Sequence, residues 1–124
     1  MSTPEKRAAE QRGRRAVFIC ALYLLTTGWR ILERRFKSQR GTGAGEVDII
    51  AKRGNVLAFI EVKARADETS ARESVTPMQQ ARITRAAEAF LQRRPYLSEC
   101  EIRFDLMTVG ASLWPKRIAD AWRP

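Results

Sequence analysis

Asp48, Glu61 and Lys63 lie within one short stretch, GEVDIIAKRGNVLAFIEVKAR over residues 45–65, in the order Asp-(x)12-Glu-x-Lys. Carboxylates are hard oxygen ligands suited to Mg²⁺ or Mn²⁺, and Mg²⁺ needs only one or two of them because it keeps several waters. A cation held by Asp48 and Glu61 would polarise a phosphodiester oxygen and lower the pKa of a bound water. Lys63 beside it would orient that water or stabilise charge developing on the phosphate. The chemistry that this trio fits is phosphodiester hydrolysis. Other chemistries are removed by composition. The chain contains no histidine, which excludes Ser-His and Cys-His catalysis and histidine metal ligation. Its two cysteines, Cys20 and Cys100, are far apart with no CxxC spacing, which argues against a zinc site and for a reducing, cytoplasmic setting.

The elements that must position the trio read as a β-hairpin. Val, Ile, Leu and Phe alternate with charge on both sides of Gly54-Asn55, a two-residue turn signal. With that turn Arg53 faces Val56, Asp48 opposes Glu61, and Glu46 opposes Lys63. Glu46, Asp48 and Ile50 then share one face with Phe59, Glu61 and Lys63. Directly opposed residues have Cβ atoms about 4.5–5.5 Å apart, where like charges destabilise. A solvated face carrying a plain Glu46–Lys63 ion pair is the bland alternative and would be worth little. Asp48 opposite Glu61 breaks that pattern, and the apolar flanks VDIIA and LAFIEV place the hairpin centrally in a sheet.

Around the hairpin the chain reads as one domain of 124 residues with 44% hydrophobic and 30% charged residues. Residues 1–12 are expected to be a flexible basic terminus. The apolar run Ala16–Leu25 after a basic lead resembles a secretory leader. No small-x-small cleavage site follows it, and it falls short of the ~20 residues that span a bilayer. A buried first helix stopped at Gly28 is the expectation, with no membrane role. Trp29–Lys37 predicts a strand with Leu32 and Phe36 inward, and GTGAG leads to the hairpin as a glycine-rich connection rather than a phosphate loop. Residues 66–74 predict a polar loop. Thr76-Pro77 opens a helix as N-cap and first residue, with Gln79 as capping-box partner. Ile83, Ala86, Ala87, Phe90 and Leu91 form its core stripe, and Pro95 ends it. Glu101–Val109 alternates as a fourth strand, with Asp105 on the face opposite Phe104 and Leu106. A short edge strand or helical turn is expected around Ile118–Trp122. The order is α-β-β-β-α-β, an α/β (α+β mixed) fold with a mixed central sheet flanked by helices.

Net charge is +9, and 18 of the 23 basic residues are arginine. Arginine favours bidentate contact with phosphate and stacking on bases, so nucleic acid is the expected partner. Arg34, Arg35, Arg40, Arg65, Arg82 and Arg85 are the candidate contacts.

GEVDIIA, FIEVKAR and RFDLMTV together resemble the YraN-type family of small bacterial proteins, assigned to the restriction-endonuclease-like PD-(D/E)xK superfamily and akin to Holliday-junction resolvases. The resemblance runs from about Gly13 to about Val109. It implies a nuclease-like domain over residues 13–124, Asp48 and Glu61 as metal ligands, and catalytic roles for Asp48, Glu61 and Lys63. Glu46 corresponds to the acidic residue two before the aspartate, and Gln79 stands where a polar helix residue often sits. The implied activity is a Mg²⁺- or Mn²⁺-dependent endonuclease acting on structured or branched DNA, with a homodimer allowed by analogy to junction-cleaving relatives. One position departs. Members usually carry a glutamate in the first helix after a Gly-x-x-Ala pattern, and here Gly13-Arg14-Arg15-Ala16 is followed by Val17. A non-catalytic nucleic-acid-binding module on the same fold is therefore the alternative.

Overall fold

A computed structural model describes residues 3–38, 45–65 and 67–124. Helix α1 (Pro4–Thr26) starts where Thr3 accepts the Lys6 amide on its side-chain oxygen at 3.1 Å and Pro4 enters the first turn. That cap carries the helix back through residues 4–12, which the sequence alone predicts to be a flexible terminus. Its buried residues begin only at Ala16 and continue through Val17, Cys20, Ala21 and Leu24. The first three turns are therefore an arm largely exposed to solvent. Gly28 ends the helix at φ 91, a left-handed conformation that L side chains rarely adopt. Arg53 from the hairpin donates to the Thr27 carbonyl at 3.1 Å, satisfying an acceptor just beyond the last turn.

Strands β1 (Arg30–Lys37), β2 (Glu46–Arg53) and β3 (Val56–Lys63) are followed by α2 (Glu68–Ser74) and α3 (Pro77–Arg93). A 3-10 turn (Pro95–Leu97), β4 (Glu101–Val109) and β5 (Pro115–Trp122) complete the chain. The five strands form one sheet in the order β1-β2-β3-β4-β5, antiparallel throughout except for the parallel pair β3/β4. The parallel pair needs a crossover, which α2 and α3 provide. The mixed sheet flanked by helices is the expected architecture, extended by α2 and β5. Helix α2 occupies part of the segment read as a polar loop. Asp67 caps it by accepting the Ser70 amide at 2.7 Å, and Ala71 anchors it against Leu106 and Ile118.

Two apolar layers hold the sheet. On one face α1 packs Cys20, Ala21 and Leu24 with Ile49, Ala51, Ala58, Ile60 and Met107. On the other, Ile83, Ala86, Ala87 and Phe90 of α3 meet Ile50, Leu57, Phe59 and Phe104. Phe90 stands edge-on to both Phe36 and Phe59, with ring centroids 5.6 and 6.0 Å apart. Burying one such side chain contributes about 1.5–3 kcal/mol. Gly45 lets the start of β2 approach α3: a Cβ there would lie 2.4 Å from the Ala86 amide nitrogen. The Ser38 amide donates to the Gly45 carbonyl at 2.9 Å, so β1 and β2 close next to that contact.

Asp105, expected only on the face away from Phe104, is fully buried. It accepts Arg103 at 3.0 Å, Arg117 at 3.2 Å and the Asp120 amide at 2.8 Å. Those bonds fasten β5 to β4 where their register shifts between Phe104 and Leu106. Among the described residues, no helix is long and apolar enough to cross a membrane.

Candidate active site

The hairpin forms in the register set by its two-residue turn, from Arg53↔Val56 to Ile49↔Ile60. Beyond Ile49 a side chain takes over from the backbone: Asp48 Oδ2 accepts the Val62 amide at 2.8 Å. That bond fixes one carboxylate beside the strand that carries Glu61. The two carboxylates line one cavity. Burial, then the neighbouring Asp48 carboxylate, push the Glu61 carboxyl up to about 9, against a smaller lowering by Lys63.

Lys63 Nζ stands 3.7 Å from Glu61 and donates to Gln79 Oε1 at 3.1 Å. Gln79 thus makes half of the expected capping box. Its amide donates to Thr76 Oγ1 at 3.2 Å, while its side chain reaches the lysine. Glu46 departs from its expected pairing. Its Oε2 accepts Arg82 Nη2 at 2.9 Å, because the β2–β3 pairing ends at Ile49 and Ile60 and α3 brings a guanidinium within reach. Glu46, Asp48, Glu61, Lys63, Gln79 and Arg82 line a single cavity of about 260 Å³. Three elements, β2, β3 and α3, converge on it.

A second opening of about 410 Å³ reaches Asp48 and Glu46 from the α1 side, lined also by Glu10, Gly13, Arg14, Val17 and Arg35. Val17, 7% exposed, thus faces the candidate carboxylates across that opening. Glu10 lines the same opening two turns earlier. Behind the site, burial and then the charge of Asp48 push the Cys20 thiol up to about 12, which keeps it protonated and inert.

The remaining arginine candidates scatter. Arg34 and Arg35 are exposed on β1 and line a further opening of about 430 Å³ with Arg14, Val17 and Glu33. Arg35 holds φ 55, in the left-handed region. Arg65 follows β3 and borders a different cavity, and Arg85 is exposed on α3. Arg40 lies outside the described residues. Sequence reasoning missed the Val62 amide, since backbone donors carry no residue signature. It also missed Arg82 as the partner of Glu46, which depends on where α3 docks.

Residues 18–109 match the Uncharacterised protein family UPF0102. The chain belongs to the UPF0102 family. It is 50% identical over 125 aligned positions to the UPF0102 protein amb4503 of Paramagnetospirillum magneticum, covering 98% of this chain and 97% of the relative. A UPF0102 protein of Parvibaculum lavamentivorans is 42% identical over 94% of this chain and 85% of its own length. A UPF0102 protein of Maricaulis maris is 42% identical over 98% and 93%. The family-matched span contains the whole hairpin and all of α3, so every residue lining the carboxylate cavity lies inside the UPF0102 region.

Two hard carboxylates, with that of Glu61 raised by burial, fit a divalent cation that would displace a proton from Glu61. Asp48 and Glu61 are the residues that would hold it. Among the described residues, no group of three or more Asp, Glu, Cys or His side chains is placed to hold a metal ion.

Proposed function

We propose that the chain is a metal-dependent endonuclease that hydrolyses phosphodiester bonds of structured or branched DNA. The observation that carries this reading is that Asp48, Glu61 and Lys63 line one cavity at the end of a buried hairpin. Burial and Asp48 raise the Glu61 carboxyl, and Lys63 stands 3.7 Å from it. A bound Mg²⁺ or Mn²⁺ would supply charge neutralisation on the phosphate and an acidified water. Asp48, held by the Val62 amide, and Glu61 fix where that charge sits. Lys63, held by Gln79, presents its ammonium to the phosphate oxygen that gains charge. Arg82 screens Glu46 and adds positive charge at the mouth. The net charge of +9 supports a polyanionic substrate.

Cleavage of a labelled four-way junction or flapped duplex with Mg²⁺ or Mn²⁺, lost in Asp48→Ala and Lys63→Ala, is the expected result. A calorimetric titration that finds no binding of either metal to the wild-type chain would falsify the enzyme reading.

A second reading has its own observation. Val17 puts an apolar side chain on the α1 side of Asp48, where the family resemblance implies a glutamate. A nucleic-acid-binding module without cleavage would bind in a steeply salt-dependent way and give no product with any metal.

A further inference from the structure

A cavity of about 520 Å³ opens off the ends of β3 and β4, between the exposed half of α1 and the β4–β5 turn. Its walls have two characters. Ala16, Ile19, Val109 and Leu113 make an apolar floor, and Arg12, Arg15 and Arg65 stand at the rim. Among the described residues, the guanidiniums of these three arginines make no hydrogen bond or ion pair. Guanidiniums converging without a partner over an apolar floor call for a ligand that is anionic at one end and flat or apolar at the other.

The β4–β5 turn adds a second, independent sign. Leu113 is held at φ 62, a left-handed conformation that costs a bulky side chain about 1–3 kcal/mol. Its amide donates to the Gly110 carbonyl at 3.0 Å, closing the turn. Leu113 is also 51% exposed. Next to it Trp114 is 71% exposed and meets Tyr23 of α1 edge-on, with centroids 6.4 Å apart. Trp114 stands outside the lining and follows Leu113 in the turn, so the cation-rimmed cavity and an exposed indole are one residue apart. Single-stranded nucleic acid is held by such a combination: phosphates on the charge, bases on the aromatic face.

We propose that this cavity binds one unstacked nucleotide of a single-stranded segment. The base lies on Leu113 and against Trp114, and the flanking phosphates lie on Arg12, Arg15 and Arg65. Position ties it to the carboxylate site. Arg65 follows Lys63 by two residues, a span of at most about 7 Å along an extended chain. Lys63 meets Gln79 of α3 and the cavity lies against α1, so a strand joining the two rounds the end of β3. Resting on the nuclease reading above, this narrows the substrate class to DNA with an unpaired nucleotide beside the cleaved bond.

The test separates the pocket from the nuclease activity by working in an Asp48→Ala background with a chelator, where nothing is cut. Anisotropy compares a short labelled single-stranded oligonucleotide, the same strand with abasic units, and a blunt duplex. Leu113→Gly removes the wall and relieves the strained backbone, so the variant folds; Trp114→Ala removes the indole. Each should weaken single-strand binding about tenfold and leave duplex binding unchanged. Abasic units should cost the wild type a similar factor and the two variants nothing further. Arg15→Ala and Arg65→Ala should each lower the salt slope by about 0.7.

Wild-type strand affinity that is indifferent to these variants and to abasic units overturns the pocket and leaves the nuclease reading standing. Binding to phosphatidylserine vesicles, lost in the same variants while strand binding is not, overturns it in favour of a lipid headgroup. A wild-type chain that binds neither the strand nor the duplex overturns both readings. The expected strand effects in a chain that never cleaves would uphold the pocket and remove the enzyme.

Discussion

The ammonium of Lys63 donates to Gln79 Oε1 at 3.1 Å while standing 3.7 Å from Glu61, so strand β3 and helix α3 share one proton donor. A lysine side chain has four rotatable carbons and loses substantial entropy when fixed. Gln79 supplies the second hold. Lys63→Ala should reduce single-turnover cleavage of a junction substrate by about 10²–10³-fold, the usual cost of one preorganised charge donor. Gln79→Ala should cost less, about tenfold, because Glu61 still attracts the ammonium. Thr76 caps the helix through the Gln79 amide, so the variant should melt like the wild type. Equal cleavage rates in Gln79→Ala and wild type would show that the second hold is dispensable.

Glu61 gives the site a pH signature. Its carboxyl is raised from an ordinary 4.5 to about 9, by burial first and Asp48 second. A raised acid stabilises the fold fully below its unfolded value, and that contribution is lost as pH rises through the folded value. Metal-free protein should therefore lose stability progressively between about pH 4.5 and about 9. Binding a divalent cation must expel that proton, so Mn²⁺ affinity should climb over the same window and thermal stability recover with it. Glu61→Gln should flatten the pH slope and abolish the Mn²⁺ response. Melting curves over this range, with and without Mn²⁺, would show it. A wild-type slope that survives in Glu61→Gln would assign the effect to another group.

Asp105 should prove structural. Its fully buried carboxylate pairs with Arg103 and Arg117, whose side chains are only 19% and 23% exposed. Asp105→Ala strands both cations and frees the Asp120 amide, so a loss of about 3–5 kcal/mol is expected in denaturant unfolding. Asp105→Asn keeps hydrogen-bonding oxygen for one partner and should lose less. Neither should change Mn²⁺ affinity of the folded fraction. A large effect on metal binding would place Asp105 within the site.

The hairpin register was legible because Gly54-Asn55 demands a two-residue turn, which fixes every pair back to Ile49 and Ile60. The capped helix α3 was legible for similar reasons, since Thr76-Pro77 and the Ile83–Phe90 stripe both act within a few residues of chain. Strand β5 was barely legible. Its attachment depends on the Asp105 carboxylate meeting the Asp120 amide across a register shift, a contact that local patterning cannot show. The carboxylate cavity divides the same way. Asp48, Glu61 and Lys63 follow from spacing on the hairpin. The Glu46–Arg82 pair does not, because it is set by how close Gly45 allows α3 to approach.

Val17 supplies the sharpest test of what the site lacks. It is buried, it faces Asp48 across the opening on the α1 side, and no charged group stands at its position. Val17→Glu would place a third carboxyl on the opening that Asp48 and Glu46 already line. Without metal, a largely buried and unpaired acid should cost about 1–3 kcal/mol. With Mn²⁺ that deficit should shrink, because the added negative charge raises cation affinity. The expected pattern is a lower melting temperature in chelator, a larger Mn²⁺-induced rise than in wild type, and tighter binding by calorimetry. Val17→Ala controls for packing, with a loss of about 1 kcal/mol and no change in metal affinity. Tighter Mn²⁺ binding in Val17→Glu with faster junction cleavage would mean that the wild-type carboxylate pair is limited by charge. Tighter binding with no cleavage would mean that the limit lies in how the substrate is held, and would shift weight from catalysis to binding.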